Sequence, residues 1–211
     1  MKLIYVYYIL LVACFILSLF KLKVYKVRLL MILLSVSIVT ETIVELAKHS
    51  SYHAKLFSIY HIFTIAEYTL ITLILRTGVL NKRLKKIMLL SIPAFAIFSL
   101  SVSFSGDYIF KYPSINTNIE TLLIIAWCLF SFFYIEPDEK ISIYKRPDFW
   151  VCLAFFIYFS GTISINGVYN YLTAHKSLVA AQLYDIINSS FNYLMYIFLI
   201  FGIICYRWET K

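Results

Sequence analysis

Seven uncharged or nearly uncharged apolar runs, at residues 3–20, 29–48, 56–75, 87–106, 115–135, 149–167 and 179–206, follow one another with only short charged connectors between them. A run of ~20 apolar residues crosses the ~30 Å hydrocarbon core of a bilayer as an α-helix. Strands of a membrane barrel would alternate in character at every second residue, whereas LIIAWCLFSFF (123–133) is apolar on every side. The pattern predicts an all-α membrane protein, a bundle of seven transmembrane helices forming one domain over residues 1–211. Composition agrees, because 62% of the residues are hydrophobic and 14% charged. A soluble domain carries roughly 25% charged residues, so a water-soluble fold is excluded.

The basic residues set an orientation. Lys21, Lys23, Lys26 and Arg28 lie in the first connector, Arg76, Lys82, Arg83, Lys85 and Lys86 in the third, Lys140, Lys145 and Arg146 in the fifth, and Arg207 and Lys211 in the tail. The other side of the bundle holds only Lys2, Lys48, Lys55, Lys111 and Lys176. Cytoplasmic loops carry the excess of Lys and Arg, which predicts the N-terminus outside and the C-terminus in the cytoplasm. The net charge of +8 then follows from topology and from contact with anionic head groups. The basic loops offer a surface to a cytoplasmic signalling partner, and no nucleic acid is expected.

Processing and reactive chemistry leave few marks. Leu-Val-Ala-Cys at 11–14 is like a lipoprotein cleavage box, but only Lys2 precedes it and the apolar run continues to Phe20 and a basic cluster. Cys14 is therefore expected to stay in an intact first span. Cys14, Cys128, Cys152 and Cys205 all fall within spans without Cys-x-x-Cys spacing, which reads as thiols packed in a core. No Gly-rich phosphate loop or nucleophile elbow occurs, so no catalytic residue and no cofactor is assigned. The 18 Tyr and 18 Phe are spread through every span, as lipid contacts and interfacial belts would be.

Five acids are out of place in such a chain: Glu41 and Glu45 in the second span, Glu67 in the third, Glu120 in the fifth and Asp185 in the seventh. An ionised carboxylate near mid-membrane costs ~2.5–3.5 kcal/mol, so each must be paired, protonated, close to the interface or facing water. With the N-terminus outside, all five gather in the outer half of the bundle. Other polar residues join them at helical spacing, in the sets Ser37, Glu41, Glu45 and His49; Tyr60, Thr64 and Glu67; Glu120 and Trp127; Thr162 and Asn166; and Asp185, Asn188 and Asn192. Residues three, four or seven apart share a helix face. Facing stripes predict a polar pocket open to the outside, with Glu41, Glu45, Tyr60, Glu67, Glu120, Asp185, Asn188 and Asn192 as its ligand-binding residues. Beyond the boundary residues Lys48, Lys55 and Lys176, no Lys or Arg falls within the outer half of a span. A proton, a metal ion or a small cationic ligand flanked by Tyr60, Tyr68 and Tyr193 is the occupant this favours.

That reading makes the protein receptor-like. A small-molecule or ion transporter using Glu67 as a relay is a second possibility, although it needs a path below mid-membrane, where polar residues are few. A third is an intramembrane metal hydrolase. Glu45, His49 and His53 follow a Glu-x3-His-x3-His spacing that puts three ligands on one helix side, which His61 or His175 would complete. Ser50, Ser51 and Tyr52 signal that the helix is already ending there.

Three stretches, IYHIFTIAEYTLI (59–71), RPDFWVCLAFFIYFSGTI (146–163) and NYLMYIFLIFGIIC (192–205), resemble a group of uncharacterised small seven-helix membrane proteins of Gram-negative bacteria. Similar segments resemble the heptahelical sensor regions of some histidine kinases. The resemblance implies a multi-pass protein of the bacterial inner membrane. With the chain stopping at Lys211, a kinase output is expected to come from a separate partner. A reporter enzyme fused after Lys211 should be active only in the cytoplasm, and activity on the opposite side of the membrane would reverse the orientation and every depth assigned from it.

Overall fold

A computed structural model of the protein describes residues 3–48, 56–134, 142–175 and 177–209; within the helices, the side chains of residues 3–5, 47–48, 56, 164–175, 177–181, 183–185 and 207–209 lie outside this description. Seven helices account for nearly all of it: α1 (Leu3–Leu19), α2 (Tyr25–Lys48), α3 (Leu56–Gly78), α4 (Lys82–Ser103), α5 (Ser114–Phe133), α6 (Pro147–His175) and α7 (Ser177–Glu209). Five contain stretches long and apolar enough to cross a membrane, Tyr25–Leu46, Phe57–Gly78, Lys82–Ser103, Ser114–Phe133 and Ile186–Tyr206, and Val6–Leu19 and Pro147–Ile163 are shorter apolar helices. This is the construction of a multi-pass helical membrane protein. Several helices outrun the apolar runs that predict them. α4 begins at Lys82, five residues before the expected 87, because the Asn81 side chain caps it, accepting from the amides of Arg83 at 2.9 Å and Leu84 at 3.2 Å. That cap lets a turn rich in Lys and Arg continue the helix beyond the hydrocarbon.

The packing order is a closed ring. α1 packs on α2, α2 on α3, α3 on α5, α5 on α6, α6 on α7, and α7 returns to α1. α4 stands outside this ring, against α3, α5 and the short helical turn Gly106–Phe110. Its outer face carries Ile87, Leu89, Leu90, Ile97 and Leu100, all exposed, as a lipid-facing surface is. Two hydrogen-bond chains tie α4 inward. At the middle of the bundle, Trp127 Nε1 of α5 donates to the Tyr68 hydroxyl of α3 at 3.1 Å. That hydroxyl donates to Ser91 Oγ of α4 at 2.7 Å, and Ser91 in turn donates to the Met88 carbonyl. The second chain, through His61, lies at the end of the bundle that carries the N-terminus.

The opposite end is basic and is clamped by an ion pair. Lys26, buried in the first turn of α2, pairs with Asp148 in the first turn of α6. Asp148 follows Pro147 at the start of α6, where a carboxylate complements the helix dipole. Gly78, in the last turn of α3, makes room for the pair: a Cβ there would lie 2.8 Å from Asp148 Oδ2 and 3.2 Å from Lys26 Nζ.

Two further glycines set the seam between α6 and α7, the most extensive in the bundle. A Cβ on Gly161 would come within 2.2 Å of the Phe191 ring, and one on Gly202 within 3.1 Å of Val151 Cγ2. Small residues at such contacts let helix backbones approach where no hydrophobic force between helices exists. Gly161→Ala should therefore lower stability by about 1–3 kcal/mol. The loss should shrink when Phe191→Leu is added, a non-additivity readable by thermal unfolding of the purified protein and its single and double variants.

Candidate functional site

A cavity of about 200 Å³ occupies the interior of the ring toward its N-terminal end. Every ring helix contributes to its wall: Tyr7 and Tyr8 from α1, Ser37, Thr40 and Glu41 from α2, Tyr60, Thr64 and Glu67 from α3, Thr117 from α5 behind Tyr112 and Pro113, Tyr158 and Phe159 from α6, and Asn188, Ser189, Asn192 and Tyr196 from α7. No residue of α4 lines it. Its deeper part is closed by Leu33, Leu34, Phe155, Met195 and Leu199. The cavity thus runs from a polar upper region to an apolar floor.

Each polar side chain reaches the cavity for a local reason. Ser37 and Thr64 turn their hydroxyls back to the carbonyls four residues earlier, at 3.0 and 2.8 Å, which satisfies them on their own helices. Tyr7 donates to Glu41 Oε1 at 3.3 Å, joining α1 to α2, and its ring packs 5.7 Å from that of Tyr196. Tyr158 donates to Asn188 Oδ1 at 3.3 Å, and Asn192 donates to the Asn188 carbonyl at 2.9 Å. Glu67 is partly exposed to the cavity, with Glu41 close enough to repel it. Of the 23 described residues that line it, none is basic and nine are aromatic.

Glu120 lies behind this wall. It is 1% exposed, near Glu67, and neither of its carboxyl oxygens has a hydrogen-bond partner among the described residues. One turn before it on α5, Asn116 belongs to the second chain that holds α4. Asn116 Nδ2 donates to Ser103 Oγ at 3.0 Å and to the Ser99 carbonyl at 3.3 Å. Ser103 Oγ lies 2.6 Å from His61 Nδ1, and His61 Nε2 faces the Lys111 carbonyl at 3.1 Å. A carbonyl only accepts, so Nε2 carries a hydrogen and the ring is oriented from both sides. His61, Ser99, Ser103 and Asn116 are all buried. Just outside, burial pushes the Tyr108 hydroxyl above its ordinary range, while that hydroxyl accepts from the Ile115 amide at 2.8 Å.

Of the residues expected from the sequence to bind a ligand, the structure brings Glu41, Tyr60, Glu67, Asn188 and Asn192 to one cavity and puts Glu120 behind it. Glu45 is exposed and outside the lining. Tyr68 is turned away from the cavity into the contact with Ser91 and Trp127, and Tyr193 also falls outside the lining. The Asp185 and Asn166 side chains and both His49 and His53 lie outside the described residues. Among the described residues no three His, Cys, Asp or Glu side chains gather as a metal cluster. Sequence reasoning named His61 only as a further metal ligand, and it left out the tyrosines at 7, 8, 112, 158 and 196 and the partners of His61. The four-residue steps from Asn116 to Glu120 and from Ser99 to Ser103 are the periodic signals for those partners.

No family model matches the chain, and no curated protein or solved structure is detectably similar to it.

Two positions one turn apart on α5 should respond in opposite ways. Asn116→Leu strips donors from Ser103 and the Ser99 carbonyl and should cost about 1–2 kcal/mol. Glu120→Gln removes a carboxyl whose oxygens have no donor and should leave the unfolding temperature equal to or above that of the wild type. Thermal unfolding of both variants in one detergent checks the contrast.

Proposed function

We propose that the protein is a receptor-like protein of the bacterial inner membrane, with seven spans, its N-terminus outside, and a cavity that opens outward and binds a small cation. The observation that carries this reading is the cavity itself. Six helices and the segment before α5 converge on it, Glu41 and Glu67 bring two carboxyl groups to its wall, and among the described residues no basic side chain lines it. Placing a cation between two carboxylates in a poorly solvated site removes the repulsion that its empty state stores. A volume of about 200 Å³ lies below the roughly 300–1,000 Å³ of pockets for drug-sized ligands, so the occupant is small.

The apolar floor of Leu33, Leu34, Met195 and Leu199 favours binding over passage, since transport needs a continuing polar path. The basic cytoplasmic ends of the helices are the surface on which occupancy would be communicated to a signalling partner. The resemblance of residues 59–71, 146–163 and 192–205 to the seven-helix bacterial group supports the architecture and the inner-membrane location.

The test uses purified protein and a panel of chlorides of sodium, potassium, magnesium, calcium, ammonium, methylammonium and tetramethylammonium. At least one should raise the unfolding temperature saturably in the wild type, and Glu67→Gln should fold as well while losing the response by tenfold or more in half-saturating concentration. Protons compete for the same carboxylates, so the response should weaken as pH falls. Failure of every cation to stabilise the wild type would overturn the reading. Flux of the stabilising cation through proteoliposomes would instead assign a transporter.

A further inference from the structure

The cavity wall carries more information than its charge. We propose that the cavity receives an alkylated ammonium ion, a quaternary ammonium group of the size of tetramethylammonium or the choline head, in preference to an inorganic cation. This rests on the cavity being a cation site and goes further by naming the chemical class that fits it.

Three observations select that class. The first is the set of rings. Tyr60 and Tyr112 pack with centroids 6.4 Å apart, Tyr7 and Tyr196 at 5.7 Å, and Tyr158 adds a further ring, all lining one small space that also contains Glu41 and Glu67. An aromatic wall attracts a cation through the ring quadrupole while accepting its alkyl groups, and cages of this composition suit quaternary ammonium ions. The second is how the oxygens are used. A bare divalent cation asks for six or more oxygen ligands. Here Glu41 Oε1 already accepts from Tyr7, Asn188 Oδ1 already accepts from Tyr158, and the Ser37 and Thr64 hydroxyls are turned to their own helices. A quaternary ammonium needs no such ligands, because it has no hydrogen to donate and carries its charge on a methyl-covered surface. The third is size. A cavity of about 150 Å³ is enough for a benzene-sized guest, and this one, at about 200 Å³, exceeds it.

Glu120 adds a further acid beside the cavity. Its carboxyl group is sealed behind Glu67 with neither oxygen hydrogen-bonded among the described residues. A monocation held at the cavity's polar end stands opposite both Glu41 and Glu67 and reduces the field that Glu120 feels, while its alkyl groups meet Phe155 and Met195 on the floor.

The experiment is a competition series on the full chain in nanodiscs of phosphatidylglycerol, read by thermal unfolding. Tetramethylammonium and choline chlorides should stabilise at concentrations at least tenfold below those needed for sodium, potassium, magnesium or calcium. The neutral carbon isostere of choline, 3,3-dimethylbutan-1-ol, should give no stabilisation. Tyr60→Phe, which keeps the ring, should retain the response, and Tyr60→Leu should weaken it about threefold to thirtyfold. The wild-type selectivity decides the matter even if the leucine variant fails to fold. A parallel arm in phosphatidylcholine nanodiscs without added salt of choline identifies the source: stabilisation there marks a lipid head group, and stabilisation only by soluble choline marks a free solute. Inorganic cations binding as tightly as tetramethylammonium, with the response lost in Glu67→Gln, would overturn this proposal and leave the cation site standing. Equal stabilisation by the neutral isostere, or none by any cation, would overturn both.

Discussion

Inside a bilayer a polar atom must find its partner within the protein, because hydrocarbon supplies none. The arrangement of α4 depends on this more than on packing. With much of its surface turned to lipid, it has little to hold it by shape alone. Trp127, Tyr68 and Ser91 form one directed chain of donors and acceptors, and Asn116, Ser103 and His61 form another. Each chain starts on α5, passes through α3 or ends there, and fixes α4 at a different depth. Hydrogen bonds between membrane helices contribute only about 0.6 kcal/mol each on average, so it is their number and their fixed direction that define the position.

The same constraint explains the contrast between the two ends of the bundle. At the basic end the Lys26 ammonium has found its counter-charge in Asp148, and Gly78 keeps the space between helices open for them. At the other end Glu41 accepts from Tyr7, while Glu120 is buried with no hydrogen-bond partner among the described residues.

Much of this could be read from the residues. Apolar runs of span length gave the seven helices to within a few residues at most ends, and the three- and four-residue spacing of Ser37 with Glu41, Thr64 with Glu67 and Asn188 with Asn192 picked out one wall each of a shared cavity. The misses have geometric causes. A step of four residues advances a helix by about 40° beyond a full turn, so the stripe that faces inward at Ser37 and Glu41 has rotated outward at Glu45. Tyr68 follows Glu67 by one residue, about 100° around α3, and so meets α4 instead of the cavity. The remaining tyrosines were illegible because aromatic residues are so evenly distributed along the chain that none stands out; only the closing of the ring reveals which share a space. The ring closure itself, α1 on α7, joins residues almost two hundred positions apart and has no local signature.

That closure bears on how the protein is made. A chain emerging at about 5–20 residues per second presents Asn188 roughly 6 to 24 s after Glu67, and the wall formed by α6 and α7 is absent for most of that interval. Glu41 and Glu67 are therefore inserted before Tyr112, Tyr158 and Tyr196, which complete their enclosure, exist. During synthesis their carboxyl groups face the translocation machinery, lipid and interfacial water. The last helix completes the wall around two acids that began as liabilities of an unfinished bundle.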